Sequence, residues 1–326
     1  MKNVSRTPRT GRMLEMTNQI IPSVKRKQII ELAESGKRTD GRSLMDMRRV
    51  EIQTNIIEKA DGSAAVKLGD TYVIAGVKFD CEKPPFPDIP NEGVLSVNAE
   101  FVPIASAEFE AGPPDENSIE LARVVDRGLR ESKLLDTSKL CIIPGKKVWT
   151  AHVDVYILDH CGNLIDASAL AAVSALLTSK MPKSSLKLNV VKVSGIEAQR
   201  TLEFKFRNGT STDLKMEEGI AEGEVQEIKE FSVEKAEEGS LPVPLCDRPV
   251  NITLAKIGDK FFVDPSLEEE EVMDCRISVT FTEDGRVCAM QKGGAGTMTP
   301  DELLRAVEIA KVKSQELRKH LPSGGK

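Results

Sequence analysis

From Val94 to Phe101 the chain alternates, with Leu95, Val97, Ala99 and Phe101 on one side and Ser96, Asn98 and Glu100 on the other. That is the period of a half-buried strand. MRRVEIQTNIIE and SAAVKLGDTYVIAGVKFDC read as strands too, the second folded at Gly69-Asp70 into a hairpin. The loop PPFPDIPNEG before Val94 is too proline-rich for a ladder. The period changes to 3.6 in VKRKQIIELAES, a predicted helix with Ser23 as N-cap and Gly36 as its stop. It changes again in ENSIELARVVDRGLRESKLLD, opened by Asn117 with Glu120 three residues on.

Further along, KKVWTAHVDVYILD reads as a strand, HCGN as a turn, LID as a short strand and ASALAAVSALLTSK as a small-residue helix. A charged, glycine-broken stretch runs from Pro182 through Gly239. It is followed by the strands PVNITLAKIG, KFFVD, CRISVTFT and RVCAMQK. A closing helix has Thr299 as N-cap, Pro300 in the first position and Glu302 completing the box, with Leu303, Val307, Ala310 and Leu317 along one stripe. Runs of strands followed by helices, twice over, predict an α+β fold of two related halves. The expected division is an arm at 1–22, a first domain at 23–200 and a second at 201–326.

Composition narrows the function. A formal net charge of -6 makes the whole chain a poor match for a polyanion, so any nucleic-acid contact must be a local cluster. The six cysteines, Cys81, Cys141, Cys161, Cys246, Cys275 and Cys288, form no CxxC pair, which argues against a zinc site or a disulfide framework. No apolar run is long enough to span a bilayer and no cleavable leader is read, so a cytoplasmic protein is expected, with no cofactor, metal or membrane partner. His152, His160 and His320 show no metal or triad spacing.

One local cluster stands out. Arg123, Arg127 and Arg130, at i, i+4 and i+7, fall within about 60 degrees of helix surface, with Leu121, Val124, Val125 and Leu129 opposite. Ion pairing with Glu120 and Asp126 would account for arginines at this spacing without any ligand.

Four motifs, GKRTDGR from Gly36, GSAAVKLGDTYVIAGVK from Gly62, ELARVVDRGLRES from Glu120 and GNLIDASALAAVSALL from Gly162, resemble the ribonuclease PH family and run in that family's order. PVPLCDRPVNITLAKIGDKFFVDPSLEEEE and the residues after it resemble the family's second domain as found in exosome rings. Within the family the resemblance is to the non-catalytic ring subunit of the archaeal exosome. It implies the ribonuclease PH fold and a hexameric ring formed with a catalytic ribonuclease PH-like paralogue. It also implies RNA-binding cap proteins and single-stranded RNA degraded from its 3′ end.

The family's reaction is phosphorolysis, which needs an anion cradle at a helix N-terminus with hydroxyl and arginine donors. Catalytic relatives supply it with a Gly-Gly-Thr-Arg-like turn, where this chain reads Asn163, Leu164, Ile165 and Asp166. A carboxylate there opposes phosphate, and Asp166 reads best as a helix N-cap. The loop AEFEAGPPDEN is acidic through Glu108, Glu110, Asp115 and Glu116 where catalytic relatives are rich in arginine. Asp274 falls near the position of the family's second-domain aspartate, and the run Glu268 to Glu271 reads as a solvated loop. The glycines of KGGAGTM read as a strand-to-helix turn, and Asp40 and Arg42 as a tight turn with a local salt bridge. By resemblance, Arg123 and Arg127 are the RNA-binding candidates, with Arg130 paired to Asp126 and no catalytic residue present. Two alternatives stand beside this reading: an active phosphate-dependent exoribonuclease using Asp274, and a stand-alone RNA-binding module.

Overall fold

The computed structural model describes residues 24–82, 88–143, 145–188, 191–193, 196–198, 202–205, 225–228 and 231–323. The arm at 1–22 and Ser23 as a cap lie outside the described residues. In chain order the first half holds α1 (24–34), β1 (Val50–Thr54), β2 (Gly62–Leu68), β3 (Thr71–Glu82), β4 (Val94–Phe101), α2 (Glu116–Glu131), β5 (Cys141–Ile143), β6 (Lys147–Asp159) and α3 (Leu164–Leu177).

The strands form a six-stranded sheet in the order β1-β2-β3-β6-β4, with β5 also paired to β6. Gly69, at φ +59°, makes the β2–β3 hairpin turn as expected. All neighbours are antiparallel except β4 and β6, which run parallel and need the crossover that α2 provides. The buried stripe of α2 is Ser118, Leu121, Val124, Val125, Gly128 and Leu129, the face opposite the arginines. Its cap is Asp115 rather than Asn117. Asp115 has the extended backbone of an N-cap, and its carboxylate accepts from the Ser118 amide at 2.7 Å, while Asn117 is already helical.

The segment LID is not a strand. Gly162 (φ +92°) and Asn163 (φ +54°) turn the chain straight from β6 into α3, so Leu164, Ile165 and Asp166 are its first turn. α3 lies between β2 and β3 on one side and the second-half sheet on the other. That position explains its composition: Ala167, Ala171, Ala172 and Ala175 are wholly buried, and small side chains let sheets approach on both sides.

Next come β7 (Lys180–Leu188), β8 (Val191–Val193), β9 (Ile196–Ala198), β10 (Leu202–Lys205), β11 (Val225–Ile228) and β12 (Phe231–Pro242). They make two three-stranded sheets, β10-β7-β12 and β11-β8-β9, where the sequence pattern offers only a charged, glycine-broken stretch. Backbone pairing of β7 with β12 holds this segment in a ladder, which charged composition hides from a pattern read on apolar residues.

The second half has its four strands and closing helix in the expected order, with an unexpected short helix between the second and third strands: β13 (Val250–Ile257), β14 (Lys260–Val263), α4 (Leu267–Val272), β15 (Cys275–Phe281), β16 (Val287–Gly293) and α5 (Pro300–Arg318). Its sheet is antiparallel throughout, in the order β14-β13-β15-β16. α5 has the expected Thr299–Glu302 box and Pro300, and buries Ala306, Ala310, Ser314 and Leu317. One apolar core runs through both halves. A smaller cluster seats Ile29 and Ala33 of α1 on Ala255, Ile257, Phe262 and Val272, so the helix that precedes the first sheet packs on the second.

Candidate functional site

α2 brings its arginines to the surface beside β16. Arg123 is exposed and makes no hydrogen bond or ion pair among the described residues. Arg127 is also exposed and donates to the Gln291 side-chain carbonyl at 3.1 Å. Arg130 is tied down as expected, donating to Asp126 at 2.7 Å and to the Leu95 carbonyl at 2.9 Å. Glu120, the partner that spacing offered to Arg123, is instead paired with Arg276 of β15 at 2.8 Å. A tertiary contact thus replaces the local one and leaves Arg123 uncommitted.

The turn into α3 carries a carboxylate from elsewhere in the chain. The Asn163 amide donates to Glu270 of α4 at 2.9 Å. Gly162 allows that approach, because a Cβ there would lie 2.5 Å from the backbone of Ser266 and Leu267. Part of Glu270 reaches solvent, yet the protein packed around its carboxyl raises its pKa to about 7, against the opposing pull of the Asn163 amide.

Asp166 is neither an N-cap nor aimed at an open site. It is 1 % exposed, in the first turn of α3. Its carboxylate accepts from the Asn163 side chain at 2.8 Å, Asn251 at 2.7 Å, the Thr253 amide at 2.9 Å and the Thr253 hydroxyl at 2.8 Å. Burial raises its pKa to about 6, and these four donors oppose the rise. β13 supplies three of the four, so the group is a joint between the two halves. The same Asn163 side chain donates to Asp264 at 2.7 Å, which also accepts from Arg48 at 2.7 Å and Arg42 at 3.0 Å. Burial pushes the Asp264 carboxyl up, but Arg48 outweighs it and the net pKa is lowered.

The GKRTDGR motif belongs to this joint. Asp40 and Arg42 form the expected local pair at 2.6 Å. Arg38, to which the motif alone assigns no role, is buried and forms a two-pronged pair with Glu269, donating also to the Val263 and Asp264 carbonyls at 2.8 and 2.9 Å. The run Glu268 to Glu271 is therefore not a solvated loop: it is α4, with Glu269 and Glu270 turned inward and Glu271 paired to Lys25. Asp274 is held by both nitrogen-to-oxygen contacts of Arg26 at 2.9 Å and by the Gly258 amide at 2.8 Å. Burial raises its pKa, and these partners bring it below the ordinary carboxylate value.

The acidic loop is exposed at Glu108, Glu110 and 111–117. It is pinned by Phe109, which stacks on Phe101 with centroids 4.5 Å apart and on His160 at 5.4 Å. Burial lowers the pKa of His160, suiting a neutral ring in a stack. The KGGAGTM glycines make the β16-to-α5 turn, with the Gly296 amide on the Asp274 carbonyl at 2.7 Å. Among the described residues no cluster could hold a metal ion, and no helix is long and apolar enough to cross a membrane.

The sequence matches the 3′ exoribonuclease family, domain 1, over residues 46–182, and its domain 2 over 247–313. The exosome complex component Rrp42 of Thermococcus kodakarensis is 44% identical over 300 residues, covering 92% of this chain and 95% of that protein. The Rrp42 of Sulfurisphaera tokodaii is 45% identical over 306 residues, covering 94% and 96%. Among solved structures, a chain of the Archaeoglobus fulgidus exosome with RNA bound to the active site is similar at TM-score 0.73 and 39% identity, covering 93% of this chain and 100% of that one. A chain of an archaeal exosome core is similar at TM-score 0.69 and 36% identity, covering 93% and 98%.

Proposed function

This chain belongs to the 3′ exoribonuclease family, the ribonuclease PH family, and on that premise we propose that it is a non-catalytic subunit of an archaeal-type exosome ring that degrades RNA from its 3′ end. It alternates with a catalytic ribonuclease PH-like paralogue, shapes that partner's active site, and works with RNA-binding cap proteins on single-stranded RNA in the cytoplasm. Residues 23–200 and 201–326 are its two domains in chain order.

The observation that carries this reading is the Glu270 carboxylate on the Asn163 amide. A helix N-terminus binds phosphate through free amides; here Glu270 holds the N-cap amide of α3, with the carboxylates of Asp166 and Asp264 both on the Asn163 side chain. Phosphate entering this turn would meet like charge at short range. Asp274, committed to Arg26, supports no general-acid role. What remains for RNA is the exposed face of α2, where Arg123 and Arg127 contact backbone phosphates.

Incubation with single-stranded RNA and phosphate tests the reading, with the chain alone and then mixed with a catalytic ribonuclease PH-like partner. Nucleoside diphosphate release and complex mass are followed. Release is expected only from the mixture, together with a ring-sized complex. Release by the chain alone would make it an active exoribonuclease; failure to co-assemble would make it a stand-alone binding module.

A further inference from the structure

Arg276 is the second residue of β15 in the second half, yet its guanidinium reaches α2 in the first, 2.8 Å from the Glu120 carboxylate. Gly293, its register partner on β16, makes the route: a Cβ there would lie 2.7 Å from Arg276 Nε. Glu120 is seven residues before Arg127, so it points within roughly 20 degrees of it around the helix axis. Gln291, two residues before Gly293 and on the same face of β16, accepts from Arg127. Beside Arg123 and Arg127 the surface therefore carries a further guanidinium, contributed by the other half and masked by a carboxylate. That pairing leaves Arg276 Nε buried without a hydrogen-bond partner.

We propose that Arg276 is a third phosphate ligand of the RNA face, and that Glu120 is an internal competitor which holds it until an RNA phosphate displaces the carboxylate. The inference rests on the reading that Arg123 and Arg127 grip RNA. The two side chains are 22% and 35% exposed, so water screens the pair and its exchange costs little. A phosphodiester offers two oxygens to the exposed end of the guanidinium fork, where the Glu120 carboxylate now sits. Displacement raises the local charge as the strand arrives, so contacts at Arg123 and Arg127 promote the third.

The test is a charge-cancelling cycle, read by fluorescence anisotropy of a labelled single-stranded RNA on the full chain and on its ring with a catalytic partner. Glu120→Gln is expected to tighten binding about threefold at low salt, and Arg276→Met to weaken it by a similar factor. In the Arg276→Met background, Glu120→Gln should have no effect. Arg276→Gln, which keeps a hydrogen bond to Glu120, takes the place of Arg276→Met if that variant does not fold. An equal gain with and without Arg276 would assign the effect to general charge and overturn the proposal, as would a loss or no change from Glu120→Gln alone. Arg123→Ala with Arg127→Ala is run alongside. If that pair has no effect, the underlying RNA grip fails; if it weakens binding while the cycle is flat, this inference alone fails.

Discussion

The carboxylate of Asp166, in the first turn of α3, takes both the backbone amide and the hydroxyl of Thr253 in β13, at 2.9 and 2.8 Å. Removing it would strand these two donors and two side-chain amides inside the joint between the halves. Asp166→Ala is therefore expected to cost about 3 kcal/mol or more, because buried donors lose their acceptor with no water to replace it. Asp166→Asn would turn an amide toward donors and should also destabilise. Urea unfolding at constant m-value reads both; a change under 1 kcal/mol would remove Asp166 from the joint.

Stability should fall as pH rises from mildly acid to alkaline. Glu270 and Asp166 have folded pKa values of about 7 and about 6, above those of an unfolded chain. Each therefore contributes stability that is fully present below its unfolded pKa and is lost as pH rises through the folded value. Asp264 is lowered and acts the other way, its contribution disappearing as pH falls through its folded value. The maximum is expected at about pH 4, below the rise in ionisation of Glu270 and Asp166 and above that of Asp264, with a decline on the order of 5 kcal/mol by pH 8. Glu270→Gln should flatten the upper part of that decline; an unaltered profile would show that Glu270 titrates normally.

Binding of single-stranded RNA by the assembled ring should lose affinity and salt dependence together in Arg123→Ala with Arg127→Ala. Each phosphate contact removed lowers the slope of log affinity against log salt by about 0.7. Arg130→Ala, whose guanidinium is committed to Asp126 and Leu95, should leave that slope alone. If Arg130→Ala changed the slope as much per residue as the double variant, the distinction among the arginines would be lost.

Asp274→Asn should leave nucleoside diphosphate release by the ring unchanged and loosen only the seat of α1, where Arg26 loses its ion pair and keeps the Val272 carbonyl. Parallel measurement of product formation and of amide exchange in 24–34 separates the two effects. A large drop in release would return Asp274 to the chemistry.

The elements that carry their own period were legible in the sequence: the β2–β3 hairpin, the alternation of β4, the apolar stripe of α2 and the capped α5. What escaped was set by partners distant in the chain. Nothing within the acidic run marks Glu269 for Arg38, 231 residues away, so the run read as solvated. Glu120 looked like a helical partner for Arg123 because Arg276 is invisible at that range. Asp166 gave the right direction, an anion where a cation would serve phosphate, but its burial comes from β13 closing over α3. The strand LID failed for a local reason, since two left-handed residues in succession, Gly162 and Asn163, leave no room for a ladder.

The seat of α1 on the second sheet also orders events during synthesis. Arg26 and Asp274 are 248 residues apart. At about 5–20 residues per second, roughly ten to fifty seconds separate the ribosome's delivery of the helix from that of its landing surface. Through that interval Ile29 and Ala33 have no native cover, while the first sheet already has its own strands and helices. Among the described helices, α1 is made before its landing surface by the longest interval, and its docking waits on β13, β14 and α4.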